Sequence, residues 1–170
     1  MTHDREFHMY RKPGGTFWGF VLYLTFAVCV VLADQWLKEL VTDRFALGEY
    51  LYVTSFFNLC HVRNTGAAFS FLSGAGGWQM FFFIGVAAVV CSGILVMLWR
   101  HNRQGLLSTS LALIMGGAIG NVIDRVMLAG VVDFLDFHWA GYHWPAFNLA
   151  DIAICVGAFG VVLHEFVRKH

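Results

Sequence analysis

The chain has 170 residues, 58% of them apolar and 16% aromatic, with a mean hydropathy of +0.64. Only 13% are charged, about half the share of an ordinary soluble domain, which this composition excludes. Eleven basic residues balance eleven acidic ones, so no net field points to nucleic acid or an acidic partner.

Taken in order, a basic tail over residues 1–15 precedes four apolar stretches, about 17–37, 78–99, 106–123 and 149–167. Each approaches the roughly 20 residues that cross a 30 Å hydrocarbon core. They predict four transmembrane helices within a single membrane-embedded domain, 1–170. Trp78 and Trp99 bracket the second stretch, as residues that favour the interface should. In the third, Ala112, Gly116 and Gly120 form a small-residue stripe on which another helix can pack closely.

The first stretch also has the pattern of a cleavable leader: a basic start, an apolar run and then Val31-Leu32-Ala33. The length of the run and the Asp34/Lys38 pair that follows argue for a retained span. Arg5, Arg11, Lys12, Arg100, Arg103, Arg168 and Lys169 fall in the tail, the second connection and the C-terminus. The positive-inside rule then puts both termini in the cytoplasm and the segments 38–77 and 124–148 outside.

Within the first outer segment, Glu39–Gly77 lacks a helical pattern. Tyr50-Leu51-Tyr52-Val53 and Phe56-Phe57 predict short strands on the membrane surface, and Asn64-Thr65-Gly66 a turn. In the second, Gly130, Gly141 and Pro145 punctuate Trp139, Tyr142 and Trp144. The stretch 128–148 reads as an interfacial loop anchored by aromatics.

Five acids interrupt this apolar chain: Asp34, Asp124, Asp133, Asp136 and Asp151. Carboxylates near hydrocarbon are costly and face partners, water or substrate. Asp34 and Lys38, spaced i and i+4, share a helix face and form either a helix-end ion pair or a contact to the outer segment or substrate. Asn121, Asp124 and Arg125 project from one side of the third helix. They suit the support of other carboxylates, with Asp124 ionised beside Arg125 or Lys38.

Asp133 lies in an apolar context after a glycine turn with no adjacent base. Asp151 opens the fourth helix, where capping alone would suit it. If the two approach closely they share one proton. One can then activate water while the other protonates a carbonyl oxygen or a leaving amine. A Ser/Lys dyad is the rival, with Lys38 and one of Ser55, Ser70 or Ser73. Metal spacing is absent: His164-Glu165 lacks a second histidine, and His138 and His143 are out of phase for one helix face. Cys29, Cys60, Cys91 and Cys155 form no CxxC and read as apolar filler.

The motifs Asp34-Gln35-Trp36-Leu37-Lys38, Arg63-Asn64-Thr65-Gly66-Ala67-Ala68-Phe69-Ser70, Gly116 to Arg125, Val131-Val132-Asp133-Phe134 and Phe147-Asn148-Leu149-Ala150-Asp151 stand in this order. In that order they resemble lipoprotein signal peptidase, or signal peptidase II, from about Thr16 to Val167. The resemblance implies an α-helical integral membrane protein with four transmembrane helices and a small extracytoplasmic β-rich cradle. It implies an aspartyl endopeptidase of the bacterial inner membrane that cuts prolipoproteins before a diacylglyceryl-modified cysteine.

The family's catalytic pair falls on Asp133 and Asp151. Supporting or substrate-binding positions fall on Asp34, Lys38, Asn64, Gly66, Asn121, Asp124, Arg125 and Asn148. The partners implied are the prolipoprotein signal peptide, membrane lipid and globomycin-like inhibitors. Neither a metal nor an organic cofactor is implied. Arg63 and Lys38 are candidates for lipid phosphate. A proton-coupled carrier is the alternative class, and it requires acids near the bilayer midplane.

Overall fold

The computed structural model describes residues 14–66 and 78–169. The basic residues of the tail at 5, 11 and 12, the motif residues Ala67–Ser70, and Ser73 lie outside the described residues.

Four helices, α1 (Phe17–Arg44), α2 (Trp78–His101), α3 (Gly105–Leu128) and α4 (Leu149–Lys169), are each long and apolar enough to cross a membrane. Leu22, Leu32, Val89, Phe159 and Phe166 are exposed on their outer faces. In water that surface would be prohibitive; in a bilayer it is the lipid contact. The protein is therefore an integral membrane protein.

Helix α3 is the centre of the bundle, with 56% of its apolar window buried against 11% for α1 and α2. Its small residues make that possible. A methyl group on Gly116 would lie 2.7 Å from the Ala27 carbonyl oxygen of α1, and one on Gly120 would lie 2.6 Å from Asp34 Oδ2. One on Gly117 would collide with the Ala150 carbonyl of α4. The predicted stripe is thus a packing surface, and it also admits a carboxylate against the α3 backbone.

Two helices overrun their predicted ends by more than a turn. α1 continues past Leu37 to Arg44 because Asp34, Lys38 and Val41 extend one buried face by i+4 and i+7 steps. That face becomes an ion pair rather than hydrocarbon, so apolarity alone ends it too early. The expectation that Glu39 onward is non-helical is corrected accordingly. α3 likewise runs through Asp124 and Arg125 to Leu128, and closes on Ala129 in the left-handed region, whose N–H donates to the Arg125 carbonyl.

At one end, Asn102 fastens the start of α1 to the α2–α3 connection, accepting from Thr16 N and donating to Thr16 O, both at 2.8 Å. At the other end lies a four-stranded antiparallel sheet in the order β1 (Tyr50–Thr54), β2 (Phe57–Asn64), β3 (Val131–Trp139), β4 (Tyr142–His143). Strand β3 replaces the interfacial loop expected over 128–148. Two aspartates break its apolar pattern, and its partner β2 comes from the other outer segment, so local sequence could not reveal the pairing. Gly130, Gly141 and Pro145 bound strands rather than fill a loop. Trp139, Tyr142 and Trp144 are exposed, as anchors at an interface would be.

Substituting Gly117→Val, which presses side-chain atoms onto the α4 backbone, should destabilise the bundle by about 1–3 kcal/mol. Thermal unfolding in detergent micelles would register this as a lower Tm, and an unchanged Tm would contradict the α3–α4 packing.

Candidate active site

Where α1, α3 and α4 meet the sheet, polar side chains replace hydrocarbon in the core. Lys38 is 3% exposed, and its Nζ is held by Asp34 Oδ2 at 2.8 Å, Asp124 Oδ2 at 2.9 Å and Asn121 Oδ1 at 3.1 Å. An ammonium has three donors, and three oxygens take them. Gln35 Nε2 adds bonds to Asp124 Oδ1 at 2.9 Å and the Gly120 carbonyl at 3.2 Å.

The carboxylates reach outward from this cage. Asp34 Oδ1 accepts from Ala150 N at 2.9 Å, a first-turn amide of α4. Asp124 Oδ2 accepts from Val132 N at 3.0 Å, in the strand that carries Asp133. Both orphan donors of a helix start and the entry of β3 are thereby satisfied by acids from other helices.

Above the cage, Asn121 and Asn148 connect to the remaining acids. Asn121 Nδ2 donates to Asp151 Oδ1 at 2.8 Å. Fully buried Asn148 donates through Nδ2 to Asp133 Oδ1 at 2.7 Å, and to Val132 O and Asn121 Oδ1, both at 3.2 Å. Its Oδ1 accepts from Asp151 N at 3.0 Å, while Asp151 Oδ2 accepts from Asn148 N at 3.3 Å. This is a reciprocal helix cap. The capping role open for Asp151 is realised.

Asn64 also hydrogen-bonds Asp133. It is held in turn by Gly66, whose N–H donates to Asn64 Oδ1 at 2.9 Å from a backbone at φ 97°. Arg125 donates to the Asn121 carbonyl at 3.1 Å and lies 4.9 Å over the Phe83 ring. Of the two cations open to Asp124, Lys38 is the one that pairs with it.

All ten sequence-predicted site residues thus converge on this one region. They sit at the sheet end of the helices, not at mid-bundle as a proton-coupled carrier requires. Burial removes Lys38 from contact with lipid phosphate, whereas Arg63 is exposed. The Ser/Lys arrangement finds no support among the described residues, where Lys38's polar partners are Asp34, Asp124 and Asn121. No group of three or more His, Cys, Asp or Glu among the described residues is arranged to hold a metal. Cys60 is no nucleophile: burial, then Asp136 and Asp133, push its thiol up to about 12.

Sequence reasoning passed over Gln35. Its signal was available, since it shares the helix face of Lys38 at i+3 and stands in an otherwise apolar helix.

Burial first, and then the nearby Asp151 carboxylate, push Asp133 from 3.8 up to about 7, against the lowering effect of Asn64, Asn148 and Lys38. The pair therefore retains a proton into the neutral range. A carboxyl raised in this way stabilises the fold fully below its ordinary value, and that stability is lost as pH rises through about 7. Asp133→Asn stays neutral and escapes the loss. Its Tm should exceed the parent's at pH 8, the gap closing progressively toward pH 4; a gap independent of pH would refute the buried proton.

Lys38→Met leaves two buried carboxylates without their cation, a change that costs about 3–5 kcal/mol in comparable buried pairs. It should yield little folded protein by size-exclusion chromatography, and normal yield and Tm would show that the cage is dispensable.

A family model described as "Signal peptidase (SPase) II" matches residues 26–167. A lipoprotein signal peptidase of Cupriavidus taiwanensis is 53% identical over 152 residues, covering 88% of this chain and 86% of that protein. One of Paraburkholderia phymatum is 54% identical over 159 residues, covering 92% and 93%. Among solved structures, a bacterial membrane enzyme determined by the in meso method at 2.3 Å resolution superposes with a TM-score of 0.75 at 29% identity, over 92% of each chain.

Proposed function

The chain belongs to the signal peptidase II family and is a membrane peptidase of lipoprotein signal peptides; from that premise we propose that it is an aspartyl endopeptidase whose working pair is Asp133 and Asp151. The observation that carries this reading is buried Asn148, whose side chain donates to the Asp133 carboxyl while its backbone N–H donates to that of Asp151. Asp151 is the more exposed of the two acids, which suits it to meet the attacking water.

The chemistry follows from the unequal surroundings of the pair. Asp133, raised to about 7, supplies the proton. Asp151, accepting from Asn121 Nδ2 and Asn148 N, takes a proton from the water. The water oxygen bonds to the scissile carbonyl carbon as Asp133 protonates the carbonyl oxygen, giving a gem-diol. Asp133, now ionised, takes one hydroxyl proton back while Asp151 passes its proton to the departing amine. The C–N bond breaks, and both acids return to their starting states. The leaving amine is the α-amino group of the lipid-modified cysteine.

The scissile bond of a diacylglyceryl cysteine stays near the headgroups because its acyl chains remain in hydrocarbon. A pair held at the helix ends, under a sheet rimmed by Trp139, Tyr142 and Trp144, suits that depth. We place the enzyme in the bacterial inner membrane with both termini cytoplasmic and the sheet on the outer face. Arg100 and Arg103 then lie at the cytoplasmic end beside Asn102. Asn64, Asn121, Asn148 and Arg125 orient the pair, while Asp34, Lys38, Asp124 and Gly66 fix those groups in turn. Globomycin-like cyclic peptides would lie across Asp133 and Asp151.

Purified enzyme acting on a diacylglyceryl-modified precursor peptide tests this. Asp133→Asn and Asp151→Asn should each lower kcat by about a hundredfold to ten-thousandfold, while Ser55→Ala keeps parental turnover. For the parent, kcat/KM should fall as pH rises above about 7, where Asp133 loses its proton. Normal turnover by either aspartate variant would overturn the assignment.

A further inference from the structure

The β3–β4 hairpin joins Asp133 to Asp151, and its register decides whether they meet. From the tip inward, Trp139 pairs with Tyr142 and His138 with His143, Trp144 N donates to Phe137 O at 2.8 Å, and Leu135 exchanges bonds of 2.9 and 3.1 Å with Phe147. The next residue after Phe147 is Asn148. A slip of one residue would carry the Asn148 amide away from Asp133 and invert the facing of every later side chain.

The regular ladder that resists such a slip is short. Strand β4 has two exposed residues, and a two-stranded ribbon of that length is weak. The tip is a two-residue turn with both Ala140 (φ 49°) and Gly141 (φ 83°) in the left-handed region, a conformation that alanine adopts at a cost.

A side-chain cluster that the peptidase chemistry does not use sits on this hairpin. Asp136 is 3% exposed. Both its oxygens lie against His143 Nδ1, at 2.8 and 3.0 Å, and Asn58 Nδ2 of β2 donates to Oδ2 at 2.8 Å. The His143 ring stacks on His138 with centroids 5.0 Å apart. Among the described residues His143 is the only ion-pair partner of Asp136. The other ionisable groups that feel its charge, Tyr50 on β1 and Cys60 on β2, are both pushed up, chiefly by burial, and so stay neutral.

We propose that Asp136 and His143, steadied by Asn58, form a positioning clamp that fixes the β3–β4 register and thereby holds Asn148 and Asp151 against Asp133. The inference rests on the Asp133–Asp151 reading. Neither clamp residue contacts the reacting groups; both act through the strand that ends at Asn148.

The test compares His143→Ala, Asp136→Asn and the double variant with the parent, on the diacylglyceryl precursor peptide across pH. His143 is half exposed, so its removal should leave the fold intact, as Tm will check. Each single variant should lose about tenfold in kcat with KM within about twofold, the mark of a group displaced without loss of binding. The double variant should be no worse than the poorer single one, because both act through one contact. His143→Gln, which keeps a donor, should recover part of the loss.

The pH profile separates positioning from mere destabilisation. The groups acting on Asp133 are Asp151 of α4, Lys38 of α1, Asn64 of β2 and Asn148. A loosened Asn148 bond no longer lowers Asp133, so the alkaline limb should move upward in His143→Ala. Unchanged kcat, additive losses, or a uniform loss at every pH would overturn the clamp while leaving the peptidase reading in place. Failure of the parent itself to cut the peptide would instead remove that reading and the clamp with it.

Discussion

A single buried ammonium holds this structure together. Lys38 lies between carboxylates of two helices, and each carboxylate continues to a backbone amide of a third element: Asp34 to Ala150 of α4, and Asp124 to Val132 of β3. Membrane helices associate without a hydrophobic driving force between them, so polar bonds of this kind carry unusual weight in fixing which faces meet. One cation does not neutralise two acids. The remaining charge is offset by Gln35, by Val132 N and by the buried Ala150 amide in the first turn of α4, all of which donate to the carboxylates. Such a cage tolerates few geometries, because a buried charge that loses a partner is costly. It therefore specifies the mutual placement of α1, α3, α4 and β3 more sharply than lipid-facing contacts could.

The proposed catalytic pair is built onto that frame rather than into it. Asp133 enters on a strand whose first bond is to Asp124, and Asp151 enters on a helix whose first turn is bonded to Asp34. Asn121 and Asn148 then span the gap. Asn121 touches both the lysine and Asp151, and Asn148 touches both acids. Amides serve here because each presents donor and acceptor at once without adding charge. They leave the burial of Asp133 free to raise its carboxyl, which a further lysine or arginine in direct contact would prevent.

The remaining surfaces divide by solvent. Small residues face inward along α3, large apolar ones face outward on the helices, and the aromatic rim belongs to the sheet. Among the described residues, Asp136 is the one buried acid with no tie to the lysine cage; its partners are Asn58 and His143. The two buried polar clusters are thus separate, one under the sheet and one along its hairpin.

The number of spans, their approximate places and the residues of the candidate site were legible in the chain itself, because hydrocarbon demands long apolar runs and makes each interrupting acid conspicuous. The order of the motifs added the family. What local pattern could not supply was every feature made by pairing across distance. Helix α1 outlasts its apolar run because Lys38 meets Asp124, some eighty residues away. Strand β3 looked like a loop because its partner, β2, lies beyond two helices, and because its aspartates are buried by contacts that only the fold creates. Lys38 reads in sequence as a helix-end pair or a contact to the outer segment, substrate or lipid; tertiary packing enclosed it. Periodicity records which way one element faces, whereas the partner of a buried charge is decided only when separate elements are brought within bonding distance.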